Sequence, residues 1–135
     1  MLPSALHDAS EVLVLSRSFP ATAQSVALAR GQLRDLVQQH RPGNWPHAEL
    51  MLSELVSNAV RHGRGDRFVV RFRLDGDMLH VAVVCRGERF VAQAHRPHDD
   101  QLGGRGLMIV EQLADTWGVD HHAQLNTAWF ACTPQ

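Results

Sequence analysis

Hydrophobic and polar positions along this chain change period several times, and each change predicts an element. Val12, Val14 and the region of Phe19 read as a first strand, closed by Pro20. From Thr22 onward, apolar residues recur at Val26, Ala29, Leu33, Leu36 and Val37, the spacing of one helical face. Thr22 is placed to cap that helix, which ends before the turn sequence Arg41-Pro42-Gly43-Asn44. Pro46 suits the first turn of a second helix, and Gly63 suits its end. Phe68, Val70, Phe72 and Leu74 then alternate with Arg67, Arg71 and Arg73, the pattern of a strand with one buried and one wet face.

Asp75-Gly76-Asp77 predicts a hairpin, and the return strand sets Leu79, Val81, Val83 and Cys85 on one side. A polar loop covers 87–102. In the third helix Leu107, Val110, Leu113, Ala114 and Trp117 point inward, with Gly118 as its stop. Strands near 119–123 and 127–132 close the chain. The expected fold is α/β, a two-layer sandwich with a mixed sheet and helices packed on one face. Residues 1–10 read as a loose leader, and 11–135 as one domain.

Composition narrows the function classes. Thirteen basic and 14 acidic residues give a formal charge of −1 over 135 residues. No basic surplus points to nucleic acid or an anionic membrane. No apolar run approaches the roughly 20 residues of a membrane span, and the N-terminus lacks the basic and apolar regions of a signal peptide. Cys85 and Cys132 stand in strand-like runs without metal-ligand spacing. Reduced core thiols of a cytoplasmic protein are the expectation.

Two segments carry candidate chemistry. In Glu54-Leu55-Val56-Ser57-Asn58-Ala59-Val60-Arg61-His62-Gly63, Asn58 and His62 fall about 40° and 80° round the helix from Glu54. These side chains flank the apolar stripe. A carboxylate there can deprotonate a nucleophile, and an amide oxygen beside it can ligate magnesium. The same pair also suits an ordinary core boundary. Gly103-Gly104-Arg105-Gly106 runs straight into a helix, where glycines admit an anion to unpaired N–H groups and Arg105 adds charge. A hinge ending a loop has the same composition. Among nine histidines, His121-His122 point to opposite faces of a strand, and His95-Arg96-Pro97-His98-Asp99-Asp100 reads as solvated loop rather than a zinc site.

In combination and order, these segments resemble the anti-sigma-factor serine kinases, small members of the Bergerat-fold ATPase superfamily that also holds DNA gyrase and the histidine kinases. The segment 54–63 is similar to the family's first box. Gly103-Gly104-Arg105-Gly106-Leu107-Met108-Ile109-Val110 is similar to its glycine box, with Trp117-Gly118 following at the expected distance. The resemblance implies ATP and magnesium as cofactors, Glu54 as catalytic base and Asn58 as metal ligand. It implies nucleotide contacts from Asn58, His62, Cys85, Gly87, Gly103, Gly104, Arg105, Gly106, Leu107 and Thr127, with 88–102 as a lid. Family members phosphorylate a serine on an anti-anti-sigma protein and sequester a sigma factor, so partners of those kinds and a homodimer are implied.

Two positions depart from the family pattern. The family usually carries an adenine-binding aspartate where this chain has Cys85, in Val83-Val84-Cys85-Arg86-Gly87. A thiol is a weak acceptor, and losing a bond to a charged group costs roughly 1.5–3 kcal/mol, or about ten- to a hundredfold in affinity. Near the end, Leu125-Asn126-Thr127 replaces a glycine and a basic residue before the threonine. These departures set a kinase with weakened base recognition against a binding-only module that holds a protein partner.

Overall fold

The computed structural model describes residues 12–88 and 104–134, and of 104–106 the main chain alone. The leader and most of the 88–102 loop lie outside the described residues. In chain order the elements are β1 (Val12–Pro20), α1 (Gln24–His40), α2 (Pro46–His62), β2 (Arg64–Asp75), β3 (Met78–Arg86), α3 (Gly104–Leu113), β4 (Thr116–His122) and β5 (Leu125–Cys132). The five strands form one sheet in the order β1-β2-β3-β5-β4.

Alternation decides which face of the sheet is buried. Phe68, Val70, Phe72 and Leu74 on β2, and Leu79, Val81, Val83 and Cys85 on β3, are all buried. Asn126, Ala128, Phe130 and Cys132 continue that face on β5. The three helices cover it with Ala29, Leu33 and Leu36 of α1, Met51, Leu55 and Val56 of α2, and Leu107 and Val110 of α3. Removing this many large apolar side chains from water is the principal favourable term in folding. No helix among the described residues is long and apolar enough to cross a membrane.

The helices-on-one-face sandwich expected from the sequence is the fold observed. The expected mixed sheet is corrected: every pairing is antiparallel. Two helices connect β1 to β2, so the chain returns to the same end and β2 runs against β1. A single helix between β3 and β4 does make those strands run alike. However, β5 lies between them and is antiparallel to both.

Three boundaries also differ. Ala23, not Thr22, precedes α1, and it makes no side-chain cap. Ser25 instead ties the entry by donating from Oγ to the Pro20 carbonyl, at 2.5 Å. Gly63 ends α2 with extended backbone (φ −72°, ψ 158°) rather than a left-handed cap. α3 stops at Leu113, and Trp117 and Gly118 belong to β4. Trp117 points inward because it faces Phe130 across the ladder, an alternation that coincides with helical spacing over those few residues.

Gly118 faces Trp129 on the opposite side of the sheet. A Cβ on Gly118 would lie 2.8–2.9 Å from the indole atoms Nε1, Cε2 and Cζ2, so the ring lies directly over the glycine. Gly118→Val is expected to lower the unfolding free energy by about 1–3 kcal/mol through overpacking. Urea denaturation measures this, and an unchanged midpoint would refute the contact.

Candidate functional site

α2 has Pro46 in its first turn, Glu49 near its positive end, and Arg61 and His62 in its last turn, all favourable to the helix dipole. Its buried stripe of Met51, Leu52, Leu55, Val56 and Ala59 fixes its rotation. Glu54 is half-buried in consequence, and Asn58, one turn on, is only 9% exposed. Neither side chain is hydrogen-bonded to another described residue, in contrast to Glu49 on the same helix, which binds Arg34 at 2.9 Å. Asn58 is also not among the fully sealed polar atoms without partners, so its carboxamide tip reaches the surface. A nearly buried amide with its oxygen uncommitted is a fitting donor for a hard cation. His62 is exposed at the helix end; partial desolvation and the Arg61 charge hold its imidazole below the usual range.

α3 begins at Gly104, and its first turn contains Arg105 and Gly106. The main-chain N–H groups of that turn have no intrahelical acceptors, and the dipole favours an anion there. α3 packs against α2, and Leu107 and Val110 share the core with Leu55, Val56 and Ala59. Two segments separated by some forty residues in sequence thus become adjacent helices. Gly103 lies outside the described residues.

The C-terminal end of β3 adjoins the end of α2. Cys85 is buried, and a Cβ on Gly63 would lie 3.2 Å from both its Cβ and its Sγ. That same Cβ would meet the Ala59 carbonyl oxygen at 2.5 Å, so only glycine lets β3 approach the end of α2 this closely. Two residues beyond Cys85, Gly87 takes φ +146° and donates its N–H to the Gln124 carbonyl at 2.9 Å.

The family model for the histidine kinase-like ATPase domain matches residues 19–132, nearly the whole chain. The chain belongs to that family. Its fold is shared with a crystal structure of the RsbU and RsbW domains of Rv1364c from Mycobacterium tuberculosis, at a TM-score of 0.69 and 24% identity. That match covers 90% of this chain and 32% of the other. No curated protein matches the chain. The architecture is the Bergerat type, and membership in an ATPase family implies nucleotide binding.

Within this ATPase domain the structure separates two neighbours in sequence. Thr127 faces Val84 and Asp120 on the sheet surface away from the helices. Its hydroxyl therefore does not share a face with Cys85, contrary to its expected place beside the nucleotide. The residue opposite Cys85 is Asn126, which is fully buried. Asn126 donates from Nδ2 to the Glu88 carbonyl at 2.7 Å, and its Oδ1 lies 3.1 Å from Nδ1 of His121. In the sequence Asn126 stands out only as a departure from the family motif. The alternation Asn126, Ala128, Phe130, Cys132 was the signal that it points inward.

Burial pushes the Cys85 thiol up to about 11, so it is a neutral, poor acceptor at physiological pH. Burial, aided by Asp115, pushes Cys132 up to about 12. An unfolded thiol ionises near pH 8.5. Below that pH both states keep the proton and full stability is present; above it the unfolded state ionises first. Stability is expected to fall between about pH 8.5 and 11, by roughly 2–3 kcal/mol from Cys85. Denaturant titrations at pH 8 and 10.5 should show this fall, and Cys85→Ala should make it distinctly shallower. An equal slope in the variant would contradict the burial of the thiol.

Proposed function

We propose that this domain binds ATP with magnesium and acts as a protein serine kinase of the anti-sigma type, in cytoplasmic partner switching with an anti-anti-sigma-type protein and a sigma factor. The observation that carries the reading is the side-by-side packing of α2 and α3. It brings the helix that carries the uncommitted Asn58 carboxamide against the helix whose N-terminus is glycine-led. Asn58 would hold the metal, with phosphate and water filling the remaining positions. The first-turn N–H groups of α3, with Arg105, would hold phosphate oxygens. When bound, magnesium would neutralise charge on those oxygens. Glu54, one turn from Asn58 and free of any salt bridge among the described residues, would accept the proton of the attacking serine hydroxyl.

A second reading is favoured by Cys85. The neutral thiol, pressed against Gly63 and opposite an engaged Asn126, offers adenine no carboxylate. A domain that keeps the helix pair but reads the base poorly would serve as a binding module.

Calorimetric and thermal titration with ATP, with and without magnesium, separates the two. A nucleotide-binding domain is expected to gain about 2.7 kcal/mol at a ligand concentration a hundredfold above Kd, visible as a raised Tm. Asn58→Ala should remove the magnesium-dependent part of that gain. Glu54→Gln should keep the gain and abolish phosphate transfer to a serine substrate. An ATP-independent Tm in the wild-type chain would leave the binding-module reading standing and end the kinase reading.

A further inference from the structure

The face of the sheet opposite the helices is covered by no element among the described residues, and its chemistry is uneven. Strand register places Arg67, Arg71 and Arg73 of β2 and Arg86 of β3 on it, against Asp75 and Asp120 as its acidic residues. Five guanidiniums gather there, counting Arg64, which pairs with Arg86 in register and is ion-paired with Glu88 at 2.7 Å, although the whole chain is formally −1. Arg67 is committed, donating to Ser18 Oγ at 2.8 Å and to the Ser18 carbonyl at 3.1 Å. Arg73 leans toward Asp75 at 3.5 Å. Arg71 and Arg86 are exposed, and neither is hydrogen-bonded or ion-paired to another described residue. Their forked donors are available to a partner.

Arg71 stands in a cross-strand row with Ala82, Trp129 and Gly118. Ala82 and Gly118 are small, and the half-buried indole lies flat over Gly118, so the row is a level apolar platform beside a cation. Tryptophan and arginine together, with small neighbours, have the composition of protein-interface centres.

We infer that this open sheet face is a docking surface for an acidic protein. Charge selects that occupant. A two-fold pair of identical chains would set the same basic patch on both sides of the contact, which like charge opposes. A nucleic acid would draw on a larger basic excess than this face provides. The surface lies across the sheet from the α2–α3 site, so the inference holds whether or not that site binds nucleotide.

The test uses the full chain and poly-L-glutamate as an acidic polypeptide probe, followed by NMR. The expected shifts are at the Trp129 indole and the backbone amides of Arg71, Ala82 and Arg86, and they should weaken as salt is raised. Arg71→Glu combined with Arg86→Glu should lower the affinity on the order of tenfold while leaving Tm unchanged. Arg71→Gln with Arg86→Gln is the milder variant, and it should lie between the two. Shifts centred instead on Arg30 and Arg34 of α1 would overturn the inference. So would tighter saturation of the same face by a DNA oligonucleotide, or outer-face shifts that track chain concentration without the probe.

Discussion

The apolar stripe of α2 is the constraint from which the rest follows. Met51, Leu52, Leu55, Val56 and Ala59 must leave water, and they can do so only by lying between α1 and α3 over the central strands. Once that stripe is buried, the helix cannot rotate. Glu54 and Asn58 are then held at its border by packing rather than by hydrogen bonds of their own. The candidate chemistry is therefore positioned by the core, and its donors remain free because nothing polar was needed to place them.

A second constraint acts at the end of the same helix. α2 and β3 meet where Gly63 touches Cys85, a contact closer than a side chain on residue 63 would allow. The pairing also explains why a small, neutral residue suits position 85. It completes the inward row of Leu79, Val81 and Val83 and fills the space against the glycine. The features attributed to phosphate and cation thus sit on helices fixed by packing, while the inner end of β3 is apolar. Those two facts define the choice between a catalyst and a binding module.

Much of the fold was legible because this chain states its periods clearly. The alternation in 67–74 and 79–85, and the helical spacing in 26–37 and 51–59, each correspond to an observed element. Sheet order was not legible, since no local pattern says that β5 inserts between β3 and β4. The end of α3 was misplaced because Trp117 fits both a helical stripe and the first inward position of a strand. At the site, α2 and α3 were legible as neighbours only through the family resemblance. The exchange of Thr127 for Asn126 turned on a single residue of parity, because a strand sends adjacent side chains to opposite faces.

The carboxamide of Asn126 has one further consequence. Its nitrogen is spent on the Glu88 carbonyl, which can only accept, so its oxygen is the atom that meets His121. An oxygen that only accepts requires hydrogen on Nδ1 of the imidazole, which selects one tautomer of the neutral ring and leaves the lone pair on Nε2. A main-chain carbonyl beyond β3 thereby sets the proton arrangement of a side chain on the far edge strand.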